Sequence, residues 1–154
     1  MAVIREVCSA ADLAQIRQLM REYADGLGVS LDYENFEAEL QDLPGVYAPP
    51  QGRLLLAWQQ SEALGCVGLR PFAPGICEMK RLYVRSQARR KDVGRQLAER
   101  VCAEGRAAGY RQIYLDTLPT MLPAQQLYRA LGFKAIDAYR YNPVPHTQYF
   151  ALQL

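Results

Sequence analysis

The chain has 154 residues, of which half are hydrophobic and 22% are charged, a balance typical of one soluble globular domain. No apolar run approaches the ~18 residues that a membrane span requires, so we expect no membrane association. The first residues carry charged side chains early and lack the apolar core of a signal peptide. We therefore expect a cytoplasmic protein that forms a single domain over residues 1–154.

The cysteine and histidine content argues against a metal centre. There are four cysteines and one histidine, and no two cysteines form a CxxC pair. Three of the cysteines lie among apolar residues, where a reduced thiol packs as a small hydrophobe. We therefore predict no metal site and no cysteine nucleophile.

Basic residues concentrate in one short stretch, although the net charge is only +2. Residues 80–95 hold seven lysines and arginines against one aspartate. A basic cluster this short favours a compact anionic ligand, although a solvated basic turn has the same composition. The low net charge and the lack of alternation between basic and aromatic residues argue against a nucleic-acid partner.

In chain order, hydrophobic patterning and turn residues predict alternating strands and helices. The strands are expected at 3–7, 53–58, 63–69, 77–84, 113–117, 135–140 and 148–152. The helices are expected at about 9–26, 33–40, 93–109 and 124–131. The resulting order, β-α-α-β-β-β-α-β-α-β-β, indicates an α/β fold built on a mixed sheet.

The sharpest local feature is a strand that runs through a basic loop into the start of a helix. It comprises Leu82, Tyr83 and Val84 in the strand, Arg89, Arg90, Lys91 and Asp92 in the loop, and Val93, Gly94 and Arg95 in the helix. The first amides of a helix lack intrahelical partners and bind phosphate at the positive end of the dipole. Neither a GxGxxG fingerprint nor a P-loop sequence is present. The stretch predicts a different kind of phosphate site, in which Gly94 lets the ligand approach the backbone.

This stretch resembles the CoA-pyrophosphate loop of the GNAT superfamily of N-acyltransferases, (Gln/Arg)-x-x-Gly-x-(Gly/Ala). Arg89 matches the first position and Gly94 the last, whereas Asp92 stands where the first glycine usually falls. Asp92 places a carboxylate near the expected pyrophosphate and favours a less relaxed backbone, unless it simply caps the helix. The resemblance implies that acetyl-CoA is the co-substrate, that 89–95 binds its pyrophosphate, and that backbone amides of 82–84 hold its pantetheine arm.

A second stretch, Ala124-Gln-Gln-Leu-Tyr128-Arg-Ala-Leu-Gly132-Phe133, is similar to the late helix of that family, A-x-x-L-Y-x-x-x-G-F. In the family this tyrosine points at the CoA sulfur, so the resemblance implies that Tyr128 is the general acid for the departing thiolate. Its spacing alone would make Tyr128 a core aromatic on an apolar helical face. Met121 replaces the asparagine that many members carry three residues before the alanine.

Glu78 lies six residues before Val84, and in some GNAT enzymes a glutamate at this strand offset is the general base. By resemblance, Glu78 would accept the proton of an acceptor ammonium, directly or through water. The alternative is an outward-facing glutamate paired with Lys80 or Arg81.

Together the matches imply the GNAT fold, a twisted and mostly antiparallel sheet that is splayed between strands 4 and 5. They imply an N-acetyltransferase that moves the acetyl group from acetyl-CoA directly to a primary amine in a ternary complex. The acidic side chains of the first two helices would attract a cationic amine or merely solvate those helices: Glu22, Asp25, Asp32, Glu34, Glu37 and Glu39.

Three points stay open at the level of sequence. The amine acceptor can be a small molecule, a peptide or a protein, and a homodimer is neither indicated nor excluded. The donor can carry an acyl group longer than acetyl. The alternative function is a catalytically weak or inactive acyl-CoA-binding regulatory module, which the departures at Asp92 and Met121 favour.

Overall fold

The computed structural model describes residues 2–89 and 91–154, so the predicted site residue Arg90 lies outside the described residues. A seven-stranded mixed sheet runs in the order β1-β2-β3-β4-β5-β7-β6, with helices packed on both faces. The element order is the one predicted from the sequence, with short 3-10 segments added at Asp32–Glu34, Gly45–Tyr47 and Ser86–Ala88.

The strands and helices have the following bounds. The strands are β1 (Val3–Glu6), β2 (Arg53–Gln59), β3 (Glu62–Ala73), β4 (Ile76–Val84), β5 (Gln112–Thr117), β6 (Lys134–Ala135) and β7 (Gln148–Gln153). The helices are α1 (Ala10–Gly26), α2 (Phe36–Asp42), α3 (Val93–Ala107) and α4 (Leu122–Ala130). Within residues 2–89 and 91–154, no helix combines the length and the apolar character that crossing a bilayer requires.

Each face of the sheet has its own apolar core. Side chains of α3 and α4 pack on one face against strand residues such as Leu69, Ile113 and Phe150. Side chains of α1 and α2 pack on the other face against Leu54 and Leu56 of β2. Successive residues of a strand point to opposite faces, so the nearly continuous apolar sequence of β2 supplies both cores.

The sheet opens between β4 and β5, as the family resemblance implied. These parallel strands pair only near their N-terminal ends, up to the pairing of Glu78 with Tyr114. Between Lys80 and Tyr83, β4 has one residue more than the facing segment of β3, and Arg81 there has φ of 61°. A β-bulge of this kind bends its strand and increases the local twist, which turns the end of β4 away from β5.

The last hairpin differs from the prediction at its first strand. The strand expected at 135–140 is only the two-residue β6, followed by one more bond from the Ile136 amide to the Tyr149 carbonyl oxygen at 2.9 Å. Beyond this bond the chain leaves the sheet. Tyr139 and Arg140 instead bind the buried carboxylate of Glu78, which compensates for the lost ladder bonds.

Candidate active site

A cleft of about 890 Å³ lies where β4 has turned away from β5. It is bounded by the end of α1, the second half of β4, the start of α3 and the first turns of α4. Seven of the predicted cofactor-binding residues line it: Leu82, Tyr83, Val84, Arg89, Asp92, Gly94 and Arg95. The volume is in the range of small-molecule sites.

One end of the cleft has the features of an anion site. The first intrahelical bond of α3 joins the Gln96 amide to the Asp92 carbonyl oxygen at 3.1 Å, so the three preceding helical amides have no helical acceptor. Arg89 is exposed there and donates from Nε to the Val84 carbonyl oxygen at 3.1 Å. The helix terminus and the guanidinium together suit a diphosphate.

Two other predicted residues of this loop have different surroundings. Lys91 donates to Oε1 of Gln59, at the turn between β2 and β3, over 3.4 Å. The side chain of Val93 is fully buried in the core, so only its backbone amide is directed to the helix terminus.

Asp92 adopts a left-handed backbone conformation, with φ of 64°. Glycine takes this conformation without steric cost, whereas a residue with a Cβ is strained in it. The exposed carboxylate forms no side-chain cap on α3, and its Oδ1 lies 3.7 Å from Nε of Arg95. The structure therefore supports the strained-backbone interpretation of Asp92 rather than the capping one.

A narrow chamber of about 40 Å³ adjoins the cleft. The two cavities share Tyr23, Leu27, Leu82 and Met121 in their linings. The chamber is further lined by polar residues from five segments: Tyr33, Glu34, Lys80, Arg81, Asp116, Thr117, Tyr128 and Asn142. A ligand whose long arm occupies the cleft can therefore present its end to a second molecule in the chamber.

Tyr128 lies on α4 and lines the chamber. Its ring is only 5% exposed and packs against Phe133 and Phe150, with centroid distances of 5.7 and 6.3 Å. Burial raises the pKa of the phenol above its ordinary value, so Tyr128 is protonated at neutral pH. Its hydroxyl forms no hydrogen bond with another residue in the described part of the chain, which leaves it free for a ligand.

Asp116 is a chamber residue that the sequence analysis did not single out. Its Oδ2 atom is buried and has no hydrogen-bond partner among the described residues, and the same holds for Oγ1 of neighbouring Thr117. Burial is the main cause that raises the pKa of Asp116, while the positive charge of Lys80 opposes the shift. The available signal was an acidic residue near the carboxyl end of a strand whose alternate residues are buried, beside the splay.

Glu78 is fully buried, and both of its oxygens are bound by protein groups. The Tyr139 hydroxyl and Nη2 of Arg140 each donate to it at 2.7 Å. Among the residues that line the cleft and the chamber, Glu78 does not appear. The alternative interpretation, in which Glu78 pairs with Lys80 or Arg81, is wrong, because both of these cations bind acids of the segment between α1 and the end of α2.

Those acids are largely neutralised. Glu34 accepts from Nζ of Lys80 at 2.6 Å and from Nη1 of Arg81 at 3.1 Å, and burial, which would raise its pKa, is outweighed by the two cations. Three further acids are paired: Glu39 with Arg81, Glu22 with Arg85, and Glu37 with Arg21. Four of the six acids that were expected to attract a cationic amine therefore carry their own counter-ions.

The buried cysteines are poor candidates for chemistry. Burial raises the pKa of Cys66 and of Cys77 to about 12, and that of Cys102 to about 11, so these thiols are protonated at neutral pH. Among the residues that the structure describes, no cluster of three His, Cys, Asp or Glu side chains is arranged to hold a metal ion.

Comparison with known proteins gives a consistent result. Residues 13–133 match the protein-family model described as Acetyltransferase (GNAT) family. An uncharacterised N-acetyltransferase of Schizosaccharomyces pombe is 40% identical over 145 residues, which cover 93% of this chain and 89% of that protein. The IAA acetyltransferase of Azospirillum brasilense is 35% identical over 118 residues, covering 75% of this chain and 74% of the relative.

Solved structures share the fold. A GNAT-family acetyltransferase from Staphylococcus aureus superposes with a TM-score of 0.83 at 18% identity, covering 99% of both chains. A Salmonella typhimurium protein whose structure contains its cofactor acetyl-CoA has a TM-score of 0.71 at 19% identity, covering 99% of this chain and 93% of that one. At these identities the similarity is evidence for the fold alone.

Proposed function

Because this chain belongs to the GNAT acetyltransferase family, we propose that it transfers the acetyl group of acetyl-CoA directly to a primary amine in a ternary complex. The observation that carries the proposal is the junction of the two cavities. The cleft has the size and the anion site for the donor, and the adjoining chamber has polar groups for an acceptor.

The donor is proposed to lie along the cleft. Its diphosphate would bind the free amides at the start of α3, with Arg89 and Arg95 as counter-ions. Its pantetheine arm would lie beside Leu82–Val84, because β4 has no pairing with β5 beyond Glu78 and an extended ligand can add there as a strand. A backbone amide of this segment would then polarise the thioester carbonyl.

The chemistry follows from the position of Tyr128. Attack by the amine nitrogen on the thioester carbon gives a tetrahedral intermediate, and cleavage of the C–S bond releases a thiolate that needs a proton. Tyr128 holds its proton at neutral pH and can donate it. Since a buried phenolate would be costly, we infer that Tyr128 takes up a proton from the nitrogen of the intermediate as it gives its own to the sulfur.

Glu78 is proposed to act through Tyr139 and Arg140. These residues belong to the segment that leaves the sheet after β6, and their two hydrogen bonds to Glu78 hold that segment beside the chamber. Glu78 is then a positioning residue, since a carboxylate with both oxygens bound and no contact with either cavity is poorly placed to reach an acceptor.

Calorimetric titration with acetyl-CoA and CoA tests the donor site, and a panel of amines with a free-thiol readout then tests transfer. Tyr128→Phe should retain acetyl-CoA binding but lower turnover by about 10²-fold, the usual contribution of general acid catalysis. Tyr110→Phe is the matched control, because its hydroxyl bonds to the Gln51 carbonyl oxygen outside both cavities and its loss should leave turnover unchanged.

The outcomes separate the candidate functions. Unchanged turnover in Tyr128→Phe would remove the general acid. Binding of acetyl-CoA without transfer to any amine would favour the regulatory module, for which the carboxylate of Asp92 in the cleft is the supporting observation. No binding of either ligand would refute both functions.

A further inference from the structure

Two carboxylates line the inner chamber, and they differ in their partners. Glu34 is bound by Lys80 and Arg81, whereas Asp116 has a buried oxygen that no described residue binds. We propose that Asp116 binds the ammonium group of the acceptor and removes its proton, so that the acceptor is a strongly basic alkylamine. This inference rests on the proposed function and names its substrate class.

Among the described charged side chains of this cluster, Asp116 is the acid that lacks an ion pair. Four cations and four carboxylates form the cluster in the described part of the chain: Arg70, Lys80, Arg81 and Arg140 with Glu34, Glu39, Glu78 and Asp116. Every acid in it except Asp116 has a bound basic side chain. An arriving ammonium would give Asp116 the ion pair that the other three acids already have, which favours a cationic acceptor over an anionic one.

The groups that face Asp116 come from every element around it. They are Lys80 and Glu78 from β4, Tyr33 and Glu34 from the 3-10 segment, Tyr139 and Arg140 from the segment after β6, Tyr149 from β7, Tyr23 from α1 and Tyr128 from α4. Among the cations, Lys80 lowers the pKa of Asp116 the most, and its ammonium is already bound by Glu34. Lys80 therefore moderates the charge of Asp116 without occupying its oxygens.

The same surroundings help a carboxylate to deprotonate an ammonium. An alkylammonium ordinarily has a pKa of about 10.4, far above that of an aspartate. Burial raises the pKa of Asp116, and loss of hydration on entry into the chamber would lower the pKa of the ammonium. Both changes reduce the difference in pKa between the ammonium and Asp116, and therefore the free-energy cost of the proton transfer.

The protons balance through two routes. Asp116 takes one proton from the ammonium, and the freed lone pair forms the C–N bond with the thioester carbon. As the C–S bond breaks, the second nitrogen proton passes through Tyr128 to the sulfur. The products are the amide, the CoA thiol and one proton, which Asp116 releases to solvent.

The chamber also limits the shape of the acceptor. Its volume of about 40 Å³ is that of roughly three water-sized groups, so it admits an amino group and the first carbons of an unbranched arm. A weakly basic amine, which is neutral at pH 7, would not need a proton acceptor in the chamber. Ethylamine and methoxyamine are similar in size and differ in this respect, and they make a matched pair of test acceptors.

The first test compares these two amines at saturating acetyl-CoA. Asp116→Asn should lower kcat/KM for ethylamine about 10²-fold at pH 7 and leave that for methoxyamine within a factor of about two. The loss with ethylamine should shrink as the pH rises toward the pKa of the amine. Glu78→Gln changes a positioning residue and should lower kcat/KM for both amines equally at every pH. Asp137 is exposed, and Asp137→Asn should leave kcat/KM for both amines unchanged.

A second measurement does not depend on turnover. In protein labelled with carbon-13 at the aspartate carboxyls and saturated with CoA, ethylammonium should shift the Asp116 resonance, and the signal should be missing in Asp116→Asn. That variant should also melt no lower than the wild type at neutral pH. Because burial raises the folded-state pKa of Asp116, its ionised form costs stability above that pKa, and the cost vanishes as the pH falls through the ordinary aspartate range.

An unshifted Asp116 resonance would overturn the inference, and so would an equal loss of kcat/KM for both amines in Asp116→Asn. A wild-type enzyme that acetylates methoxyamine but not ethylamine would overturn it as well, because the acceptor would then be a neutral amine. A shifted resonance in a protein that acetylates neither amine would support the ammonium site and contradict the proposed transfer.

Discussion

Asp92 combines a strained backbone conformation with a negative charge at a predicted ligand site. Its φ of 64° is costly for a residue with a Cβ, and its carboxylate lies in the lining of the cleft where a diphosphate would bind. At a helix N-terminus, however, a carboxylate also gains about 0.3–1 kcal/mol from the dipole. The two effects on stability are of similar size and opposite sign. The effect on an anionic ligand, by contrast, is repulsion alone.

We therefore expect Asp92→Gly to bind CoA about threefold to tenfold more tightly by calorimetry, with the free energy of unfolding changed by less than about 1 kcal/mol. Asp92→Asn is the matched control, since asparagine keeps the Cβ and the left-handed backbone and lacks only the charge. A gain shared by both variants would assign the effect to charge, and a gain in Asp92→Gly alone would assign it to the backbone. Unchanged affinity in both would show that the diphosphate binds elsewhere.

At this scale, some residues were predictable and others were not. Arg89, Gly94 and Tyr128 belong to short motifs, and the cleft or the chamber includes all three. The partners of Glu78 are 61 and 62 residues away in the chain. They lie on a segment whose sequence pattern predicted a strand. No local pattern could have indicated them.

The conformation of strand β4 depends on a network of ion pairs. The network joins β4 to α2 and to the 3-10 segment that precedes α2. Arg81, in its left-handed bulge position, is held by both oxygens of Glu39 and by Glu34, and Glu34 also binds Lys80. The side chains of Lys80 and Arg81 are only 5% and 2% exposed. These contacts hold the bulge, and with it the opening of the sheet, in one conformation.

Glu34→Gln should therefore lower the free energy of unfolding by about 3 kcal/mol in urea denaturation, because it leaves buried Lys80 without its carboxylate. Glu37→Gln is the control, since the pair that Glu37 forms with Arg21 is exposed on both sides and its loss should cost less than about 1 kcal/mol. The cations hold the pKa of Glu34 low, so its contribution is present at neutral pH and is lost as the pH falls through that pKa. A loss from Glu34→Gln no larger than that of the control would mean that water reaches the network.

The elements themselves were more predictable than the contacts between them. Periodicity and turn residues placed each helix and strand in the correct order, because these signals are local. The exception was the strand expected at 135–140, which ends after Ala135 because Glu78 draws Tyr139 and Arg140 away from the sheet. Tertiary contacts overrode an apolar pattern that was otherwise compatible with a strand.

In the proposed function, the whole molecule divides into a donor half and an acceptor half on either side of the opening in the sheet. The donor half uses a helix start, a loop and a strand end that are adjacent in sequence, so its site followed from motifs. The acceptor half is assembled from α1, the 3-10 segment before α2, the end of β5 and the segment after β6, which only the fold brings together. This explains why the sequence indicated the donor more clearly than the acceptor.

This division predicts where acetyl-CoA protects the backbone from hydrogen exchange. Binding should slow exchange in residues 82–84, in the first turn of α3 and in α4, and should leave β1 and β2 unchanged, because these strands do not line either cavity. At a ligand concentration of about 100 times Kd, the complex gains about 2.7 kcal/mol. For a domain of this size that corresponds to a rise in Tm of about 5–10 °C.

Pantetheine, which lacks the diphosphate, serves as the control ligand. It should protect residues 82–84 while leaving the first turn of α3 at its free exchange rate, because the α3 protection depends on the phosphates. Protection by acetyl-CoA that was confined to the 3-10 segment before α2 and to the segment after β6 would contradict the division. In that case the donor would occupy the acceptor half, and the chamber lined by Asp116 would have to hold the thioester rather than the amine.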